Sequence, residues 1–125
     1  MKIENLISNA ERIKNKKDIK RTQKKVMIKR FVELEIEDPY VVLEKPTTPQ
    51  LLAIQERKSE TYGIAECIIT PNVHDSELQK AFGVNNAEAL VKKLFTDEEL
   101  QDLSSILGEM IIFKNQAQIV DDIKN

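Results

Sequence analysis

Apolar residues in the first fourteen positions, Ile3, Leu6, Ile7, Ala10 and Ile13, recur at spacings of three and four. That period predicts an amphipathic helix over 2–14. The stripe gives way to a lysine-rich stretch, 14–25, read as a linker or a frayed continuation of the helix. Over 26–36 the period falls to two. Val32, Leu34 and Ile36 alternate with Glu33, Glu35 and Glu37, the pattern of a half-buried strand. Asp38-Pro39 signals a turn, because proline fixes φ and pushes the residue before it away from helix. Tyr40-Val41-Val42-Leu43 then reads as a second strand. The result is an antiparallel hairpin over 26–45, which needs further elements to pack on.

Beyond the hairpin the pattern is helical. Thr48 is a candidate N-cap with Pro49 at the first helical position, and Leu51, Leu52 and Ile54 carry that helix to about Ser59. Residues 60–69, with Tyr62, Ile64, Ala65, Ile68 and Ile69, fit a buried helix slightly better than a strand, and Pro71 ends them. Asp75 or Ser76 caps a short helix that stops at Gly83. Asn85 or Asn86 caps the next, which carries Ala89, Leu90, Lys93 and Leu94. Thr96-Asp97-Glu98-Glu99 is a capping box, opening a helix with the apolar stripe Leu100, Leu103, Ile106, Leu107 and Met110. Gln116–Asn125 holds a last weak helix through Ile119, Val120 and Ile123.

The expected architecture is α+β and mostly helical. An N-terminal β-hairpin or small antiparallel sheet packs on a C-terminal bundle of short helices. The chain of 125 residues reads as one domain. Within it, 1–25 form the N-terminal helix and basic segment, 26–45 the hairpin, 48–110 the helical body and 111–125 a tail. Composition supports the helical bias, since 3 Gly and 4 Pro are too few for an all-β fold rich in tight turns. With no Trp and only 5% aromatics, the core has to be built from Leu, Ile and Val. The N-terminus lacks the apolar run of a signal peptide, and no stretch reaches the length needed to span a bilayer, so a cytoplasmic protein is expected.

A net charge of −2 hides an asymmetry. Residues 11–30 carry ten basic side chains against Glu11 and Asp18, giving +8 and leaving −10 for the rest. Three readings fit: a solvated surface, a basic arm for nucleic acid, and self-complementarity between the basic segment and an acidic body. Nucleic acid is the weaker one, because no aromatic interleaves the segment before Phe31 and no DNA-binding motif follows.

Reaction chemistry finds no support, and neither an enzyme nor a cofactor is expected. Cys67, the only cysteine, sits in an apolar run and reads as a small buried hydrophobe, with no base placed to ionise it. His74 has no second histidine for a metal site, and no Gly-rich phosphate loop exists. What remains is apolar surplus. The stripe on 100–110 reads most simply as core; on the alternative reading, Leu90, Leu94, Phe95, Leu103 and Leu107 are the candidate partner-binding residues, lining a groove or a subunit interface.

The run from Cys67 through Thr70-Pro71-Asn72-Val73-His74-Asp75-Ser76 to Lys80, followed by Phe82-Gly83, resembles the XkdN-like phage tail assembly chaperones. Ala89 to Leu100, a short helix, a hinge and a glutamate-led helix, fits the same pattern. The resemblance covers 24–110. It implies a protein that binds the tape measure protein, keeps it soluble and leaves as tail tube subunits polymerise. Self-association is expected from the charge asymmetry and the apolar surplus, and no membrane partner from the lack of a spanning stretch. A structural tail component and a nucleic-acid-associated prophage protein using 11–30 stand as the alternatives.

Overall fold

In the computed structural model, residues 1–16 and 21–111 are described; the weak helix expected at 116–125 lies outside them. The central element is a single run that changes from helix to strand without a loop. Helix α5, Glu60–Cys67, starts at Ser59, whose hydroxyl accepts the Tyr62 amide at 3.2 Å. It ends where Cys67 meets the short strand β3, Ile68–Thr70. The reading of 60–69 as helix therefore holds to Cys67 and fails beyond it. Cβ-branched Ile68 and Ile69, followed by Pro71, suit extended backbone once the helix face is exhausted.

β3 is one edge of a three-stranded antiparallel sheet of order β1-β2-β3. Strand β2, Tyr40–Glu44, is central, and its Val41 and Leu43 are fully buried. Its other neighbour is β1, Gln23–Met27, with Gln23 opposite Glu44 and Met27 opposite Tyr40. The small antiparallel sheet is as expected, but its first strand is not at 26–36. The lysine-rich stretch read as a linker supplies that strand.

Here an edge position decides. β1 buries little, with Val26 half-buried and Ile28 just beyond it buried, so lysines on the outer face are tolerated and guard the edge. Lys25 lies over the Tyr40 ring at 4.3 Å, and Arg21 pairs with Glu44. The alternating residues instead form helix α3, Lys29–Glu33, and a loop. Val32, Leu34 and Ile36 stay exposed.

The helical body follows the capping signals, with one shift. Helix α4, Thr48–Arg57, is capped by Thr47 rather than Thr48, in a box closed with Gln50. Pro49 falls in its first turn, and Lys58 ends it in the left-handed region. Asp75 caps α6, Ser76–Ala81, and Asn86 caps α7, Ala87–Leu94. Thr96 and Glu99 form the expected reciprocal box at α8, Asp97–Ile111. The core joins both layers: Val41 and Leu43 from the sheet meet Ile64, Leu90, Val91 and Leu103 from α5, α7 and α8. Gly63 lets α4 and α8 approach α5. A Cβ there would stand 3.3 Å from Ile54 and 3.8 Å from Leu107.

At the N-terminus the predicted single helix is two, α1 at Ile3–Ser8 and α2 at Ala10–Asn15. Polar side chains break it. The Asn9 amide donates to the Asn5 carbonyl at 2.7 Å, beside a 3.3 Å bond from the Ser8 hydroxyl, and such local bonds compete with the helical ladder.

Two outcomes follow from this packing. Gly63→Leu should destabilise the fold by about 1–3 kcal/mol through overpacking. Gly108→Ala, on an exposed face of α8 with open space beside it, should stabilise it by about 0.5–1 kcal/mol; urea titration separates the two. Cys67 is buried, and its thiol is pushed up to about 11, mainly by burial and then by the charge of Glu66. At pH 8 it should resist a disulfide-exchange reagent until the protein unfolds, giving a reaction rate that tracks global opening.

Candidate functional site

The sequence-predicted groove residues do not gather on a surface. Leu90, Phe95, Leu103 and Leu107 are all buried in the core, where packing against α5 and the sheet consumes them. A partner cannot touch them in this conformation. Leu94 alone of the five is half-exposed, and it lines a different feature.

That feature is an open cleft of about 480 Å³ at the end of the sheet. One wall is the connection between β1 and β2, which contributes Phe31, Leu34 and Ile36. Tyr40, Thr70 and Pro71, at the ends of β2 and β3, form the floor. Leu78 and Phe82 from the α6 region, with Lys93 and Leu94 from α7, form the opposite wall. Most of this lining is apolar, and much of it faces solvent: Leu34 is 60% exposed, Ile36 45% and Phe82 39%. Clustered exposed apolar side chains of this kind make the cleft the candidate binding surface.

Backbone bonds fix the loop that displays Leu34 and Ile36. The Ile36 amide donates to the Phe31 carbonyl, and the Glu35 amide to Val32, each at 3.0 Å. Glu35 and Asp38 both take positive φ, 57° and 52°. Non-glycine residues seldom hold that conformation, and such strain concentrates at functional segments.

The same wall is anchored to the helical body by Arg30. Its guanidinium grips Glu99 through two bonds, Nε to Oε2 at 3.1 Å and Nη2 to Oε1 at 3.0 Å. Nη2 also donates to the Leu94 carbonyl at 2.6 Å, satisfying one of the carbonyls that a helix end leaves without a partner. Glu99 meanwhile accepts the Thr96 amide. The Arg30 bond is the main cause holding the Glu99 carboxyl below its ordinary value, partial burial working against it. Beside this knot Phe31 packs on Phe95, with ring centroids 6.1 Å apart. Leu94 thus serves the site by lining the cleft and by its carbonyl, and Phe95 by the ring that supports Phe31.

Phe31, Leu34, Ile36, Leu78 and Phe82 went unnoticed as a group in the sequence, because three lie in an apparent strand and two in a helix 40 residues on. The available signal was Glu33–Asp38, where four acids interrupt the supposed strand face. Among the described residues no group of His, Cys, Asp and Glu is placed to hold a metal ion, and no helix is long and apolar enough to cross a membrane.

Arg30→Ala should cost about 1–2 kcal/mol at pH 7, since it removes a charge-assisted pair at a partly exposed site and frees a carbonyl. Glu99 has its pKa lowered on folding, so its contribution is full above the unfolded carboxylate value, about 4.3. It is lost as pH falls through the folded value. The stability gap between the protein and Glu99→Gln should therefore close on acidification below about pH 4–5, as read by denaturation at a series of pH values.

A family model described as phage XkdN-like tail assembly chaperone protein matches residues 6–124. No curated protein and no solved structure matches the chain.

Proposed function

The chain belongs to the XkdN-like phage tail assembly chaperones, and on that premise we propose that it binds the tape measure protein and keeps it soluble during tail morphogenesis. The supporting observation is the open apolar cleft between the β1–β2 connection and α6–α7. A long, largely helical client would present apolar faces that aggregate unless covered. The exposed Leu34, Ile36 and Phe82 offer those faces a dry contact, worth roughly 25 cal/mol per Å² of apolar surface buried.

One small cleft gives weak binding per copy. Many copies along one extended client would hold it firmly, because each further contact is made at high effective concentration. The same arithmetic permits release, since subunits leave one at a time as tail tube protein takes over the client surface. Function on this reading is binding in the host cytoplasm without covalent chemistry.

Co-expression with the tape measure protein of the same phage tests the reading. The client should become soluble and co-purify with several copies of the chain. Leu34→Asp with Phe82→Asp, both at exposed positions, should abolish solubilisation while circular dichroism stays unchanged. A client equally insoluble with and without the wild-type chain would sink the proposal. Co-purification of tail tube protein alone would redirect it to that partner.

A further inference from the structure

The outer edge of β1 carries backbone groups that no other described strand takes up. The Lys45 amide donates to the Thr22 carbonyl at 2.9 Å, and the Ile28 amide to the Pro39 carbonyl at 3.0 Å. Both ends put even-numbered residues in the bonded pairs with β2. Gln23, Lys25 and Met27 therefore aim their amides and carbonyls away from it. Side chains along this edge are also unspent. Val26 is only half-buried, Met27 is 51% exposed, and among the described residues no carboxylate pairs with Lys24 or Lys25. Glu44, the one acid of β2, is already paired with Arg21.

Such an edge accepts an extended segment. Its own order, Lys24-Lys25-Val26-Met27, calls in an antiparallel partner for two apolar residues followed by two acids. A second copy of β1 does not fit, since residues 21–29 carry Arg21, Lys24, Lys25 and Lys29 and no acid.

We propose that the occupant is the chain's own segment 119–123. Adjacent acids occur at three places in the chain. Those at 37–38 belong to the β1–β2 connection and those at 97–99 to α8, which leaves Asp121-Asp122. Antiparallel pairing sets Asp121 opposite Lys25 and Asp122 opposite Lys24, while Ile119 meets Met27 and Val120 meets Val26. A slip of one residue either way breaks both kinds of match, because it sets Asp121 beside Val26 or Val120 beside Lys25. Ile119, Val120 and Ile123 are β-branched, which favours a strand over the weak helix that their spacing suggested.

Reach and tethering favour the same copy over a second one. Met110 and Ile28, the neighbour of Met27, are buried in one core, and a body of about 100 residues has a radius of gyration of about 13 Å. The chain from Ile111 to Ile119 spans up to about 27 Å, enough to cross between them. A tethered segment then competes at about millimolar effective concentration. Once occupied, the edge is closed to strand addition by other chains. Client binding at the cleft does not depend on it.

Amide hydrogen exchange on the full chain, read residue by residue by NMR, tests the pairing. A free edge leaves the amides of Gln23, Lys25 and Met27 open to water, whereas a paired one protects them. In the wild type these three should exchange about tenfold or more slowly than in Asp121→Lys with Asp122→Lys. Lys24 and Val26, bonded to β2, should exchange alike in both. Lys24→Asp with Lys25→Asp should also lose the protection, and combining the two charge reversals should restore it. The protection should be unchanged on dilution, as pairing within one chain requires. Unprotected edge amides in the wild type, protection that survives the reversal at 121–122, a combined variant that stays unprotected, or protection lost on dilution would each overturn the proposal.

Discussion

The uninterrupted run of α5 into β3 is the constraint on which the rest of the structure depends. Through Gly63, Ile64 and Ala65 it takes up the faces of α4, α7 and α8, and through Ile68 it joins the sheet beside Leu43. Two layers that would each be too small to be stable alone thereby share one hydrophobic core. Because helix and strand belong to the same eleven residues, 60–70, the sheet cannot slide relative to the helices without disrupting both.

A core this compact has consequences at the surface. The most deeply buried side chains, such as Leu90, Val91 and Leu103, are spent on closing it. Some of the apolar residues left over stand apart, such as Leu52 on α4 and Ile69 on β3, and the others cluster. They gather on the β1–β2 connection, at Phe82 and along the N-terminal arm. Arg30 holds the connection in place, reaching from α3 to the Leu94 carbonyl and the Glu99 carboxylate, so one cation fixes the wall of the cleft and trims the corner between α7 and α8. The basic segment is thereby partly accounted for within the chain, since Arg21 and Arg30 meet Glu44 and Glu99. That absorption weakens its reading as a nucleic-acid arm. On the proposed function, Leu34 and Ile36 on the braced loop, with Phe82 across the cleft, are the side chains that would bind a client weakly and reversibly.

What the sequence by itself determined were the features set by neighbours a few residues apart. The helix starts at Asp75, Asn86 and Thr96 were legible because a side-chain acceptor three residues before an amide suffices to make a cap. The mostly helical α+β class and the strand at Tyr40–Leu43 followed from period and composition, and the family resemblance from cap and apolar spacing. What only the tertiary structure decided was which apolar residues would be inside. Leu90, Phe95, Leu103 and Leu107 and the exposed Leu34 and Ile36 are chemically alike, and their spacing says which face they share but not what covers that face. The alternation at 32–36 gave way to a helix and a strained loop because β2 had already been paired by Gln23–Met27, whose lysines an edge strand accommodates. Long-range pairing chooses among locally acceptable alternatives by the total apolar area it removes from water, and that sum has no local signature.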